Sequence, residues 1–307
     1  MRIVFMGTPD FAIPSLKTLL DNRYTIASVV TVPDKPQGRG GQRIPSPVKQ
    51  FAGHHRLPIL QPELLNDESF IAAVRDLKPD LFVVVAFRIL PKEVITLPRL
   101  GAFNLHASLL PKYRGAAPIQ WAIMNGEKET GVTTFFLEEK VDTGNVILQA
   151  RVPVAPDQTF RELHDTLADV GAEIVLHTVR LIETGKAIPH PQDNAGATPA
   201  PKILKQHCRI DWSKPSRAIH NLVRGLSPVP CAFTMHGGKT IKIYRTRVVE
   251  HASKNAPGVV AETSARLVVQ AGEGSVEVLE LQQEGKRRLP AEEFLRGYRL
   301  NKGERFS

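Results

Sequence analysis

The run Leu81-Phe82-Val83-Val84-Val85-Ala86-Phe87 decides the fold. It is the longest unbroken apolar stretch in a chain of 307 residues, it is β-branched at its centre, and it is polar on neither face. A strand that needs cover on both faces belongs in a parallel sheet with helices above and below, whereas crossing a bilayer takes about 20 apolar residues. Working outward, residues 2–6 and 25–32 are runs of the same kind, with helical spacing over 11–20 between them. Residues 131–137 and 145–152 give two more strands around a polar turn, and 160–184 has the apolar spacing of one long amphipathic helix. The first part of the chain is therefore expected to be α/β, with a doubly wound, mostly parallel sheet.

From 188 to 201 the composition changes to Pro189, Pro191, Pro199 and Pro201 with small and polar residues between, the texture of a linker. Beyond it, 215–226 has helical spacing, and five short strands are expected at 232–235, 239–249, 258–262, 266–270 and 275–281. Short, evenly spaced strands of this number suit a small OB-like β-barrel. The expected division is 1–189, a linker at 190–206, and 207–307. Charge follows the same division: residues 1–200 hold 21 Lys+Arg and 21 Asp+Glu, while 201–307 hold 19 and 10, so the last third carries the whole formal charge of +9. Such a block suits a polyanion, because neutralising phosphates releases condensed counterions; a solvated basic surface is the bland alternative. Two cysteines, Cys208 and Cys231, make neither a disulfide framework nor a metal knuckle, and with no signal peptide or membrane segment in view a cytoplasmic protein is expected.

Chemistry concentrates in a few places. The first turn, Gly7-Thr8-Pro9-Asp10-Phe11, is not Gly-x-Gly-x-x-Gly, and no phosphate-binding loop of the Gly-x-x-x-x-Gly-Lys type is present, so dinucleotide and P-loop readings are discounted. The polar loop 33–47 contains Arg39 and Arg43 and is long enough to expect a function. The richest stretch is Asn104-Leu105-His106-Ala107-Ser108-Leu109-Leu110-Pro111-Lys112-Tyr113-Arg114-Gly115. Strand alternation over 101–106 sends Asn104 and His106 to one side, at the carboxyl end of a strand, where ligands sit in open parallel sheets. A carboxamide and an imidazole there supply what an oxyanion needs, and Asp142, in the turn Val141-Asp142-Thr143-Gly144, is placed to orient the imidazole. A turn carboxylate bonding its own backbone is the plainer reading of Asp142. Ser108 lacks a nucleophile elbow and His106 lacks a second metal ligand at zinc spacing, which leaves direct attack by an external nucleophile on an activated acyl group.

The pattern Asn104-x-His106-x-Ser108-Leu109-Leu110-Pro111-x-Tyr113-Arg114-Gly115, then Ala117-Pro118-Ile119, Gly131-Val132-Thr133 and Asp142-Thr143-Gly144, resembles the folate-dependent formyltransferases. The opening Gly7-Thr8-Pro9-Asp10-Phe11-Ala12, the loop from Pro33-Asp34-Lys35-Pro36 to Pro45-Ser46-Pro47-Val48-Lys49, and Ile210-Asp211-Trp212 resemble the branch of that family whose acceptor is the methionine on initiator tRNA. The likeness implies a Rossmann-like catalytic domain, 10-formyltetrahydrofolate as formyl donor, initiator methionyl-tRNA as partner and no metal; nothing in the sequence calls for more than a monomer. It implies that Asn104 and His106 hold the oxyanion while Asp142 fixes His106 and assists deprotonation of the amine. It also implies folate binding by Ser108, Leu109, Leu110 and Pro111, with Phe87, Arg88 and Ile89 lining the pterin pocket, where Phe87-Arg88 replaces the commoner Tyr-Gly. Contacts with tRNA would fall to Arg39, Arg43, Lys202, Lys205 and Arg209. Two other readings stay open at this point: formyl transfer to an amino sugar nucleotide, and an RNA-binding protein with a vestigial α/β domain.

Overall fold

Burial on both faces begins with the first strand. In the computed structural model, which describes residues 1–37, 42–249, 255–264 and 266–307, Ile3, Val4, Phe5 and Met6 are all fully buried. The strands of the first half are β1 (Arg2–Gly7), β2 (Thr25–Val30), the short hairpin of β3 (Lys35–Gln37) and β4 (Gln42–Ile44), β5 (Ile59–Leu60), β6 (Leu81–Val85), β7 (Ala102–His106), β8 (Glu129–Phe136) and β9 (Val146–Pro153). The helices are α1 (Ile13–Asp21), α2 (Pro47–His54), α3 (Glu68–Asp76), α4 (Lys92–Ile95), α5 (Pro118–Met124) and the long α6 (Phe160–Glu183). Seven strands form one sheet in the order β5-β2-β1-β6-β7-β8-β9, parallel from β5 to β7 and antiparallel where β8 joins. Strand order reverses between β1 and β6, which pair with Gly7 opposite Val85. A side chain at Gly7 would press within 2.8 Å of the Ala12 Cβ and 3.1 Å of the Val85 carbonyl, so the turn into the first helix needs glycine.

The expected loop 33–47 contains the β3–β4 hairpin, and both of its roots are tied down. Lys49 Nζ pairs with Asp34 at 2.6 Å, Gln61 Nε2 donates to the other Asp34 oxygen at 2.9 Å, and the Thr31 and Ser46 hydroxyls share a hydrogen bond of 2.7 Å. Ser46 also caps α2 by accepting from the Lys49 amide. The Lys49 ammonium, with Gln61, lowers the pKa of the Asp34 carboxyl. Arg43 is exposed on β4, whereas Arg39 lies outside the described residues.

Two compact units share the chain: Met1–Gly115, Thr130–Val152 and His164–Pro199 make one, and Ala116–Glu129, Pro153–Leu163 and Ala200–Ser307 the other. In the second unit, α7 (Ser216–Leu226) and α8 (Ala291–Gly297) accompany β10 (Ala232–His236), β11 (Lys239–Val249), β12 (Val260–Glu262), β13 (Leu267–Gln270), β14 (Ser275–Gln283) and β15 (Leu289–Pro290). The sheet runs β10-β11-β14-β13-β12, antiparallel throughout, and β15, a short strand beyond the five expected, pairs with β14. The open edges β10 and β12 are bridged by the last residues. Val260 donates to the Glu304 carbonyl and Phe306 to the Gly258 carbonyl, while Met235 and Ser307 exchange hydrogen bonds of 2.8 and 3.0 Å. Phe306 is 1% exposed and stacks on the buried Trp212 with ring centroids 5.9 Å apart.

Closure of this curled sheet therefore rests on one aromatic plug. Phe306→Ala is expected to destabilise the second unit by about 3–5 kcal/mol, the usual cost of emptying a buried phenylalanine site, measured as a fall in its urea midpoint with an unchanged slope.

Candidate active site

β7 emerges from the sheet core at the edge where the parallel strands end. Val84 of β6 pairs with Asn104 and Val85 with Leu105, while on the other side His106 pairs with Thr133 of β8. Asn104 and His106 thus stand two residues apart on one face of a strand. The half-buried Asn104 carboxamide has no hydrogen-bond partner among the described residues, so its two N–H donors remain available. His106 is 6% exposed, and its Nε2 lies 2.8 Å from the Tyr113 carbonyl oxygen. A carbonyl oxygen only accepts, so Nε2 carries a hydrogen, and in the neutral ring Nδ1 is then the nitrogen with the lone pair. That Nδ1 faces Asp142 Oδ2 at 3.8 Å, and the same carboxylate oxygen accepts from the Gly115 amide at 2.8 Å.

The stretch from Ala107 to Gly115 leaves the sheet without regular structure and is held by specific bonds. Thr133 Oγ1, fully buried, donates to the Ser108 carbonyl at 2.6 Å and accepts from the Leu110 amide at 3.1 Å and Gln149 Nε2 at 3.0 Å. Gln149 Nε2 also donates to the Leu110 carbonyl, and Ser108 Oγ donates to the Lys112 carbonyl at 2.6 Å. The Ser108 hydroxyl is spent inside the loop, and Ser108 and Leu110 are buried, so Leu109 and Pro111 are the partly exposed members of the expected folate stretch. Beside this loop, the residues after β6 show Phe87 half-buried and Ile89 71% exposed. Arg88 donates Nη1 to the Glu63 carbonyl at 2.9 Å and Nη2 to the Pro62 carbonyl at 2.7 Å, and its guanidinium lies 5.5 Å from the centre of the Phe87 ring. Its head group therefore staples the 62–63 backbone, its buried Nε has no hydrogen-bond partner among the described residues, and burial lowers its pKa.

Asp142 sits in the turn between β8 and β9 with φ +55, a left-handed backbone, and a side chain at Gly144 would collide with the Phe136 carbonyl at 1.7 Å. The turn is gripped from the Pro-rich stretch, where Gln192 Nε2 donates to the Asp142 and Gly144 carbonyls at 3.0 and 2.8 Å. Gln192 Oε1 in turn accepts from Arg114, and Thr198 takes the Tyr113 and Arg114 amides through its hydroxyl and carbonyl. Thr133, Gln149, Gln192 and Thr198 were not singled out from sequence for any role. Thr133 had a faint signal in the Gly-Val-Thr motif, but Gln192 and Thr198 lie in a stretch whose composition reads as a linker.

Many arginines of the second unit are already matched. Arg245 pairs with Glu162, Arg247 with Glu277, Arg266 with Glu262, Arg287 with Glu293, Arg288 with Glu280 and Arg296 with Glu292. Lys202, Lys205 and Arg209 are exposed and have no carboxylate at ion-pair distance among the described residues. Among those residues, too, no three His, Cys, Asp or Glu side chains are grouped to hold a metal, and no helix is long and apolar enough to cross a membrane.

Comparison with known proteins falls on both halves. The formyl transferase family model matches residues 1–179, and that of the formyl transferase C-terminal domain matches 202–299. The methionyl-tRNA formyltransferase of Caldanaerobacter subterraneus subsp. tengcongensis is 46% identical over 305 residues, 99% of either chain. That of Bacteroides fragilis is 48% identical over 310 residues, covering 98% of this chain and 96% of its own. Among solved structures, the sugar 3N-formyl transferase WlaRD, determined in the presence of dTDP and 5-N-formyl-THF, superposes with a TM-score of 0.68 at 21% identity, over 94% of this chain and 99% of that one. At that identity it speaks for the fold alone.

The Thr133 hydroxyl is the hub of the loop. Thr133→Val keeps the shape but strands the Leu110 amide, and a loss of about 1–3 kcal/mol in unfolding free energy is expected by denaturant titration.

Proposed function

The chain belongs to the formyl transferase family, and on that premise we propose how its residues carry out the reaction. The protein transfers the formyl group of 10-formyltetrahydrofolate to the α-amino group of methionine on initiator methionyl-tRNA, giving N-formylmethionyl-tRNA for translation initiation. The observation that carries the mechanism is the open carboxamide of Asn104 beside a histidine that the Tyr113 carbonyl holds and whose other ring nitrogen faces the Asp142 carboxylate.

Asn104, His106 and Asp142 are the catalytic residues of this reading. Asn104 donates to the carbonyl oxygen of the formyl group as negative charge gathers there, the contribution fixed dipoles make in a site that needs no reorganisation. The Nε2–H of His106 is engaged in a hydrogen bond to the Tyr113 carbonyl, so the proton leaving the attacking amine goes to Nδ1. Before transfer, Nδ1 turns a lone pair toward Asp142; afterwards an imidazolium faces a carboxylate, and repulsion becomes attraction. The donor supplies a formyl group already activated for transfer; as the bond between the formyl carbon and the folate nitrogen breaks, the proton held at His106 Nδ1 passes to that nitrogen and tetrahydrofolate leaves, with orientation and charge stabilisation doing the rest.

Leu109 and Pro111, which follow β7, with Phe87 and Ile89, which follow the neighbouring β6, line the folate site in this reading, offering apolar side chains to a flat ring. Ser108, Leu110 and Arg88 support it from beneath. The exposed Arg43, Lys202, Lys205 and Arg209 take tRNA phosphates, and the same role is proposed for Arg39. The division into a catalytic domain over 1–189, a linker at 190–206 and a tRNA-binding domain over 207–307 goes with this reading, supported by family matches that stop at 179 and resume at 202. Cytoplasmic action as a monomer completes the proposal.

Offered 10-formyltetrahydrofolate with charged initiator tRNA, charged elongator tRNA and an amino sugar nucleotide in parallel, the enzyme is expected to formylate the initiator alone. Transfer to the sugar would overturn the acceptor assignment. Asn104→Ala and His106→Ala are each expected to lower turnover by about 10²–10³-fold while leaving the folded state intact, and a variant that keeps its turnover removes that residue from the mechanism. Replacing Lys202, Lys205 and Arg209 together by Gln is expected to weaken tRNA binding and to flatten its dependence on salt, with folate binding unchanged; an unaltered salt slope would move the phosphate contacts elsewhere.

A further inference from the structure

We propose that Gln192 is a positioning residue for formyl transfer, holding the Asp142 turn at the separation from which its carboxylate serves His106. The inference rests on the catalytic reading above and adds a residue that no motif marks.

The turn that carries Asp142 has bonds of its own, from the Thr143 hydroxyl to the Lys140 carbonyl and from the Phe136 amide to the Asn145 carbonyl, and is braced from outside as well. Asp142 occupies a left-handed backbone conformation, which residues with a Cβ adopt uncommonly and Asp more readily than most, and Gly144 is pressed against the Phe136 carbonyl. The Gln192 amide group spans both sides of this turn, donating at 3.0 Å to the Asp142 carbonyl and at 2.8 Å to the Gly144 carbonyl. Its oxygen meanwhile accepts from Arg114, at 3.1 Å from Nε and 2.6 Å from Nη2. A second bond from Arg114 Nη2, 2.9 Å to Asn194, fixes the fork.

Arg114 is flanked by the two residues whose backbones meet the catalytic pair. The Tyr113 carbonyl accepts from His106, and the Gly115 amide donates to Asp142. One carboxamide thus ties the segment that orients the imidazole to the turn that orients the carboxylate. Only an amide satisfies both ends, since it offers two donors to the carbonyls and an acceptor to the guanidinium. The His106 to Asp142 separation of 3.8 Å lies just beyond hydrogen-bond length, so small movements of the turn alter that pairing. Misplacing a catalytic group by about 1 Å costs on the order of 10²-fold in rate.

Gln192→Glu separates the two halves of the role, because a carboxylate keeps the Arg114 bond and sets its second oxygen against the two carbonyls. The variant is expected to lose about 10²-fold in kcat, with the KM for methionyl-tRNA and the Kd for 10-formyltetrahydrofolate unchanged, and to displace the acid limb of the pH–rate profile. Gln192→Ala should do the same, and Gln192→Ala with Arg114→Ala should be no worse than the poorer single variant, as parts of one brace behave. Independently of turnover, the imidazole nitrogen resonances of His106 should titrate with a different midpoint in both Gln192 variants, assigned by their absence in His106→Ala. Full kcat with an unmoved profile and an unmoved His106 titration would overturn the proposal while formylation by the unaltered enzyme upholds the reading beneath it. Failure of the unaltered enzyme to formylate methionyl-tRNA would sink that reading instead, and the His106 titration would still decide the positioning role.

Discussion

The site depends on the register of one strand. β7 is clasped by β6 on its parallel side and by β8 on its antiparallel side, with Val84 opposite Asn104 and Thr133 opposite His106. Slipping either pairing by one residue would turn Asn104 and His106 to the wrong face and would carry the Thr133 hydroxyl away from the loop it holds. Phe103, Phe82, Val83 and Phe135 are fully buried, and a slip would take each of these side chains out of the close-packed place it fills.

What surrounds the strand end is built largely from main-chain groups. The Tyr113 carbonyl and the Gly115 amide set His106 and Asp142, and Tyr113 itself has φ +61. Backbone held in such conformations is costly and persists only where neighbouring bonds over-determine it. Thr133, Gln149, Gln192 and Thr198 supply those bonds, and no one of them touches the reacting atoms in the proposed mechanism. The Asn104 carboxamide, by contrast, has no partner among the described residues, which is the condition of a donor waiting for charge.

The second unit shows a comparable economy. Its formal excess of positive charge overstates the free cations, since six of its arginines face glutamates. A bare count of Lys and Arg therefore marks where a polyanion is expected, while the pairing selects which side chains remain to meet it. Lys202, Lys205 and Arg209, on the segment that leads into the curled sheet, are among the cations with no carboxylate at ion-pair distance among the described residues, as are Lys214, Arg217, Lys239 and Lys242.

The sequence by itself determined the layers and marked the residues proposed for catalysis. Apolar runs such as 81–87 announce a doubly covered parallel sheet, the spacing over 160–184 gives the long helix, and Asn104, His106 and Asp142 stand out because strand alternation and turn chemistry are local. Only the tertiary structure decided that the last residues bridge β10 and β12, that Arg88 staples the 62–63 backbone, and that a stretch composed like a linker grips the Asp142 turn. These are hydrogen bonds between residues far apart along the chain, formed by Gln, Thr, Arg and backbone groups that occur everywhere. Periodicity reports what each segment must bury, whereas the partner of a polar group is chosen by the folded geometry and leaves no local pattern to read.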